Sequence, residues 1–131
     1  MTGERDGFVL DLGPLQGHWT TEQYLLLTDQ TNHLIEFSEG VIDGLPMPTE
    51  RHQAILEYLF LAFRAFMGQR GGKVRFAPLR LLIRAGTFRE PDILLVRDAT
   101  DPRRQNRFWE GADLVVEIVS PDAIRFSIHP A

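Results

Sequence analysis

The spacing of hydrophobic positions predicts two helices. Residues 20–29 begin with two threonines, a glutamate and a glutamine, a pattern that favours a helix start, and continue with an apolar run. Residues 50–70 form a second, longer helix, because large apolar side chains recur three, four and seven positions apart. This apolar stripe consists of Ile55, Leu56, Leu59, Phe60, Phe63, Phe66 and Met67. Thr49 can cap the helix at its start, and the pair Gly71-Gly72 can end it.

Shorter apolar runs predict β-strands. Residues 33–37 and 41–43 flank the turn Ser38-Glu39-Gly40, which is the pattern of a β-hairpin. The segments 73–77 and 79–84 alternate polar and apolar positions, as half-buried strands do.

Two continuous aliphatic runs are typical of fully buried strands. The first run, residues 93–96, lies in a predicted strand over residues 89–96, and the second lies in a predicted strand over residues 115–119. Both are bounded by proline, glycine or aspartate. The ends of the chain lack a clear period. We therefore expect one folded domain over residues 20–122, between an irregular lead-in (1–19) and a C-terminal tail (123–131).

Length and composition limit the class of protein. With 131 residues, 44% hydrophobic and 24% charged, the chain can bury one core and does not resemble a disordered segment. Its net charge of −4 does not by itself indicate a nucleic-acid-binding protein. The lack of cysteine excludes disulfides and thiolate metal ligands. No apolar run reaches the ~20 residues of a membrane span and the N-terminus is polar, so we expect a cytoplasmic protein without a membrane partner.

Three acidic residues occupy unusual places in the predicted strands. Glu117 lies inside an aliphatic run, where an unpaired buried carboxylate costs roughly several kcal/mol. Asp92 lies at the start of the preceding run, and Glu36 lies in the hairpin. Carboxylates brought to one edge of a mixed sheet repel each other unless a cation lies between them. Mg²⁺ suits such a site because it takes oxygen ligands and keeps waters, one of which can attack a phosphodiester.

These residues also have structural interpretations. Asp92 follows a proline and can be a turn residue, and Glu36 can pair with a neighbouring arginine or cap the long helix. Glu117 is the hardest of the three to explain as ordinary surface. His52 fits a polar side chain on the exposed first turn of the long helix. The sequence has no Gly-x-Ser-x-Gly segment, phosphate-binding glycine loop or His-x-x-x-His spacing that would indicate another chemistry.

A cluster of cations between the two aliphatic runs is a candidate nucleic-acid-binding site. Arg103, Arg104 and Arg107 can neutralise phosphates, and the adjacent Phe108 and Trp109 can stack on bases. The alternative, which we favour, is a solvated loop with two aromatic rings packed into the core.

Together, these segments resemble a bacterial family of putative restriction endonucleases, formerly a domain of unknown function, within the PD-(D/E)xK nuclease superfamily. The resemblance covers residues 20–122. It is carried by the segments 36–42, 47–53, 91–96 and 113–121, of which the Pro-Asp segment and the Val-Val-Glu-Ile-Val-Ser-Pro segment are together fairly specific.

The resemblance implies an α/β (α+β) fold of the restriction-endonuclease type, with a central mixed β-sheet flanked by helices and an incomplete C-terminus. It also implies a metal-dependent endodeoxyribonuclease with Mg²⁺ or Mn²⁺ as cofactor and DNA as partner. Glu36, Asp92 and Glu117 correspond to the catalytic acids of the family. The implied metal ligands come from Asp92, Glu117 and Ile118.

Two departures from the family pattern leave the activity open. The superfamily has a lysine two residues after its last acid, whereas here that position is Val119 and the only lysine is Lys73. Arg125 can substitute electrostatically, but an arginine does not act as a base. Family members also continue beyond the segment that ends at Pro121. We therefore expect an uncovered sheet edge, and a homodimer or higher homo-oligomer that covers it.

Because of these departures, two alternatives to an active nuclease stay open. One is a catalytically inactive nuclease fold that acts as a nucleic-acid- or protein-binding module. The other is an oligomeric scaffold in which the three acids serve only as partners for the many arginines.

Overall fold

The computed structural model describes residues 2–5, 8–11, 13–31, 34–120 and 123–128. Its first elements are β1 (Thr2–Arg5), β2 (Phe8–Asp11), a 3-10 turn (Gly13–Leu15) and α1 (Thr21–Gln30). They are followed by β3 (Ile35–Ser38), β4 (Val41–Gly44) and α2 (Glu50–Gly68). The remaining strands are β5 (Lys73–Phe76), β6 (Leu81–Arg84), β7 (Thr87–Arg89), β8 (Ile93–Val96), β9 (Leu114–Ser120) and β10 (Ala123–Ile128).

The described strands form antiparallel sheets. Two sheets have four strands each, in the orders β10-β9-β8-β5 and β4-β3-β7-β6, and β1 pairs with β2 in a separate hairpin. The predicted α+β fold is confirmed, but the sheets are antiparallel where a mixed sheet was expected. In the β3–β4 hairpin the two-residue turn dictates this outcome, because a parallel pair requires a crossover connection of about a dozen residues or more.

The β3–β4 hairpin and α1 form where the sequence predicts them. Glu39 and Gly40 both have positive φ, 48° and 88°, which a two-residue hairpin turn of this hand requires. At the start of α1, the Gln23 N–H donates to Thr20 Oγ1 at 3.1 Å, and the Thr20 N–H donates to Gln23 Oε1 at 2.9 Å. This reciprocal capping box satisfies two backbone donors at the helix start. His33, part of the predicted strand 33–37, lies outside the described residues.

Helix α2 is also confirmed. Thr49 caps it by accepting the His52 N–H on its side chain at 3.1 Å. Leu56 and Met67 are its buried residues, eleven positions apart and therefore on one face. Within the described part of the chain, neither helix is long and apolar enough to cross a membrane.

Contacts within the chain define two compact units, and the domain predicted over residues 20–122 stays a prediction. The first unit consists of residues 1–47 and 84–89, and the second of residues 48–83 and 90–131. In the first unit, the Tyr24 ring stacks on Phe37 with ring centroids 5.1 Å apart, and the Tyr24 hydroxyl donates to the Ile35 carbonyl at 3.1 Å. The buried phenol is thus both packed and hydrogen-bonded, as burial of a tyrosine requires.

The second unit is built on the β10-β9-β8-β5 sheet. All four residues of β8 are buried, because the sheet has an apolar cluster on each face. The cluster on the α2 side contains Leu56, Met67, Val74, Ile93, Leu95, Val116 and Ile118. The cluster on the other side contains Leu81, Leu94, Val96, Trp109, Ala112 and Val115. Alternate residues of β8 and β9 therefore contribute to opposite clusters, as the period of two in a strand dictates.

Residues 89–96 do not form the single strand that was predicted. Strand β7 ends at Arg89, β8 begins at Ile93, and the two strands belong to different sheets. Pro91 lies between them and has no N–H to donate to a ladder, which disfavours a continuous strand.

The two chain ends also differ from their predictions. Strands β1 and β2 pair within the expected irregular lead-in, and β10 pairs with β9 along most of the expected tail. Strand β10 is therefore an edge strand of the four-stranded sheet.

Candidate active site

Asp92 lies immediately before β8 and is bound by two different elements of the second unit. Its Oδ2 accepts the backbone N–H of Ile118 in β9 at 2.7 Å. Its Oδ1 lies 3.0 Å from Nε2 of His52 in α2. The side chain is only 17% exposed. Each oxygen of this carboxylate thus has its own protein donor.

His52 lies in the first turn of α2, four residues before Leu56 and on the same side of the helix. Its side chain is 22% exposed, so the interpretation of His52 as an exposed polar residue is wrong. In the sequence, the spacing of four residues between His52 and the apolar Leu56 could have predicted that His52 lies on the buried face of α2. Nδ1 of His52 is buried and has no hydrogen-bond partner within the described ranges.

Glu117 lies in β9, half-buried, one residue beyond Val116. Val116 pairs with Ile93 in the antiparallel β8–β9 ladder, so Asp92, one residue before Ile93, and Glu117, one residue after Val116, lie at the same end of that ladder. Strand alternation places Glu117 on the face that carries Val115, opposite the α2 side. The Cα partner of Glu117 in β10 is Arg125.

Glu36 belongs to β3 in the first unit, where its side chain is 15% exposed. Its Oε1 lies 3.7 Å from a terminal guanidinium nitrogen of Arg89. The arginine pair that the sequence allowed as the alternative for Glu36 is therefore present. Its assignment as a catalytic acid stays a prediction.

The residues available for a metal ion have the right chemistry but do not form a cage. Across the described ranges, no group of three or more histidine, aspartate and glutamate side chains could hold a metal ion. Mg²⁺ is usually bound through one or two carboxylates and keeps several waters, so the carboxylates of Asp92 and Glu117 fit it as hard oxygen donors. Ile118, predicted as a ligand, donates its backbone N–H to Asp92.

Arg103, the first of the candidate nucleic-acid-binding cations, is surrounded by carboxylates. One terminal nitrogen lies 2.6 Å from Asp101 Oδ2 and 2.7 Å from Asp113 Oδ1. These hydrogen bonds raise the pKa of Arg103 and lower the pKa of Asp101. A Cβ at Gly111 would lie 2.7 Å from Arg103 Cδ, so the loop backbone passes closely over this side chain. Arg103 therefore holds the loop between β8 and β9 together.

Arg104 and Trp109 lie against each other in the same loop. The Arg104 guanidinium carbon is 5.5 Å from the Trp109 ring centroid, and Arg104 also donates to the Ala99 carbonyl. Trp109 is 3% exposed and Phe108 is half-buried, as the interpretation of aromatic rings packed into the core expected. The carbonyl of Arg107 accepts a hydrogen bond from Arg80 Nε at 3.2 Å.

An open cleft of about 800 Å³ adjoins this loop. Arg75, Phe76 and Arg104 are among its lining residues. Phe76 is 50% exposed and contacts the Phe60 ring edge-on at a centroid distance of 4.8 Å. The cleft thus offers cations and an accessible aromatic ring in one place.

Comparison with models of known protein families gives a match over most of the chain. The model of the Uma2 family, described as putative restriction endonuclease, matches residues 21–125. No curated protein matches the chain.

Proposed function

Because the chain belongs to the Uma2 family of putative restriction endonucleases, within the PD-(D/E)xK superfamily, we propose that it hydrolyses DNA phosphodiester bonds with Mg²⁺ or Mn²⁺. The observation that carries the proposal is the carboxylate of Asp92, bound by the Ile118 N–H and by His52 beside the start of β8. Glu117, one residue beyond the shared strand pair, supplies the second carboxylate.

Each residue has a defined task in this proposal. Asp92 and Glu117 would hold the divalent cation through oxygen atoms. When bound, the cation lowers the pKa of a coordinated water and neutralises charge on the scissile phosphate. The Ile118 N–H binds one of the two oxygens of the Asp92 carboxylate. Glu36 is the third acid that the family pattern implies.

Val119 occupies the position of the superfamily lysine and is 49% exposed. Arg125 lies opposite Glu117 in the strand register and is exposed. Paired residues of antiparallel strands lie on the same face of the sheet, with Cβ atoms about 5 Å apart. Arg125 can therefore supply a fixed positive charge for the phosphate, although it does not remove a proton from water.

DNA contacts beyond the scissile phosphate are proposed for the cleft near Arg104. Arg75 and Arg104 can neutralise phosphates, and Phe76 can stack on an unpaired base. Arg103 and Arg107 complete the cation cluster that the sequence predicts. Since Arg103 is bound to two aspartates, we expect it to act by shaping the loop.

A homo-oligomer also stays a proposal. It is supported by the edge strand β10, whose apolar side chains Ile124, Phe126 and Ile128 are 40%, 53% and 76% exposed. An exposed apolar edge favours pairing with another chain. Size-exclusion chromatography with light scattering tests this, and a monomer of 15.0 kDa at micromolar concentration would contradict it.

The proposed activity is tested by nicking of supercoiled plasmid DNA in Mg²⁺ and in Mn²⁺. Wild type should nick the plasmid, and Asp92→Asn and Glu117→Gln should not. Glu57→Gln is the matched control, because Glu57 is an exposed carboxylate on α2.

The alternative is a nuclease fold that binds DNA without cleaving it, and Val119 is the observation that favours it. Thermal unfolding with Mn²⁺ distinguishes the two, because a ligand that binds only the folded state raises its melting temperature. A working metal site gives a rise that Asp92→Asn abolishes, whereas the alternative gives none. DNA binding without a metal-dependent rise would favour the alternative.

A further inference from the structure

We infer that His52 is a positioning residue, which fixes the orientation of the Asp92 carboxylate through a hydrogen bond from its Nε2–H. The two side chains come from different elements, and Nε2 lies 3.0 Å from Oδ1. What Asp92 does once it is positioned rests on the proposed function. The positioning itself does not.

One hydrogen bond alone does not fix an aspartate carboxylate. The last torsion of an aspartate side chain is broad and roughly two-fold, so the group can rock about a single contact. Here the Ile118 N–H binds Oδ2 at 2.7 Å, and His52 binds the other oxygen. Two donors on two oxygens remove that freedom and leave one orientation.

The position of His52 is itself fixed by the fold. Thr49 accepts its backbone N–H, which ties His52 to the first turn of α2. Leu56, one turn later, belongs to the apolar cluster that α2 shares with β8 and β9. The imidazole therefore reaches Asp92 from α2, a helix that is packed against β8 and β9.

Packing alone does not explain a histidine at this position. Donation from Nε2 to Asp92 leaves Nδ1 as the other polar atom of the ring, and Nδ1 is buried without a hydrogen-bond partner in the part of the chain that is described. A buried polar atom without a partner is destabilising. An aliphatic side chain would avoid this loss, so the histidine is explained by what its other nitrogen does for Asp92.

Two isosteric substitutions test whether the hydrogen-bond donor at the Nε2 position is required. In His52→Gln, the side-chain amide nitrogen reaches the position of Nε2 and can still donate to Asp92. In His52→Asn, the amide corresponds to the shorter Nδ1 branch and does not reach. His18, which is exposed, provides the matched control His18→Asn.

The first readout needs no metal. Hydrogen exchange of the Ile118 amide, followed by NMR, reports whether Asp92 still accepts its hydrogen bond. We expect exchange about tenfold faster in His52→Asn and close to the wild-type rate in His52→Gln and His18→Asn. The amide of Val116 should keep its wild-type rate in all three variants, which shows that β9 stays folded.

The second readout is Mn²⁺ affinity by titration calorimetry. Loss of a residue that orients a metal ligand typically weakens metal binding by about 10- to 100-fold. We expect a loss of that size in His52→Asn and a much smaller one in His52→Gln. If His52→Asn does not fold, His52→Leu, which keeps an apolar contact, is held to the same two criteria.

The outcomes separate this inference from the proposed function. Wild-type Ile118 exchange in His52→Asn overturns the positioning role, and so do equal effects of His52→Gln and His52→Asn. Wild-type protein that binds no Mn²⁺ overturns the proposed metal site, and the amide measurement then decides the positioning role alone.

Discussion

The backbone N–H of Ile118 donates a 2.7 Å hydrogen bond to Oδ2 of Asp92, a residue 26 positions earlier in the chain. The bond joins β9 to the residue that precedes β8, one position beyond the last strand pair, Ile93 with Val116. At this point the acceptor of the β9 hydrogen bond is the Asp92 side chain rather than a backbone carbonyl.

Removal of the Asp92 carboxylate should destabilise the protein even without metal. Asp92→Ala leaves the Ile118 N–H half-buried without its acceptor, so we expect a loss of about 1–3 kcal/mol in the free energy of unfolding. Asp92→Asn keeps an acceptor oxygen and should lose less. Urea unfolding in the presence of a chelator measures both, with Glu57→Ala as the exposed control. Equal stability of Asp92→Ala and wild type would show that the hydrogen bond is not formed.

Arg103 should be needed for stability of the loop between β8 and β9. It binds Asp101 and Asp113 together, and all three side chains are at most 23% exposed. A lysine has one compact ammonium group and does not reproduce the contacts of the planar guanidinium with both aspartates. We therefore expect Arg103→Lys to lose about 1–3 kcal/mol in the free energy of unfolding. The control is Arg97→Lys, since the Arg97 side chain is 79% exposed. Chemical unfolding that ranks the two variants equally would contradict this role.

The same cluster should make stability depend on acid. The hydrogen bond from Arg103 lowers the pKa of Asp101. Burial acts to raise the pKa of Asp113, but hydrogen bonds from the Arg97 N–H and from Arg103 outweigh it and lower that pKa. A carboxyl with a lowered folded-state pKa stabilises the fold above its unfolded-state pKa of about 3.9. That stabilisation is lost as the pH falls from this value through the folded-state pKa.

Melting temperatures measured from about pH 6 to about pH 2.5 test this sign. Wild type should lose melting temperature mainly below about pH 4, and Arg103→Met should show a shallower fall because its aspartates have lost their partner. Parallel curves for the two proteins would show that the Arg103 pairs do not cause the acid sensitivity.

Introduction of the family lysine should raise the activity. Val119 is 49% exposed, so a longer side chain can be accommodated there. A correctly placed cation near the developing charge is worth about 100- to 1,000-fold in rate, and we expect Val119→Lys to recover at least tenfold. Val119→Gln, of similar length and without charge, is the control. Nicking by Val119→Lys no faster than by Val119→Gln would argue against a charge requirement at this position.

Local signals account for what the sequence predicted well. The capping box at Thr20, the cap at Thr49 and the turn at Gly40 each depend on a few neighbouring residues, and the helices and the β3–β4 hairpin follow from them. The family resemblance added the α+β fold. These are the features that need no knowledge of distant contacts.

The features that sequence analysis missed depend on contacts between distant segments. His52 carried no sign of its partner, because Asp92 lies 40 positions away, immediately before β8. The break between Arg89 and Ile93 was missed, although Pro91 marks it. Arg103 was a candidate phosphate ligand beside the favoured interpretation of a solvated loop, and the local sequence did not show its pair with Asp113, ten residues distant. In each case, tertiary structure decided between two roles that the local sequence allowed.

The most direct test of the central claim is the rate at which purified protein nicks supercoiled DNA in Mn²⁺. We predict nicking by wild type and by Glu57→Gln, and a rate at least about 100-fold lower for Asp92→Asn, which keeps the shape of the side chain but not its charge. Equal nicking by wild type and Asp92→Asn, or none by wild type in either Mn²⁺ or Mg²⁺, would contradict a metal-dependent nuclease site at Asp92.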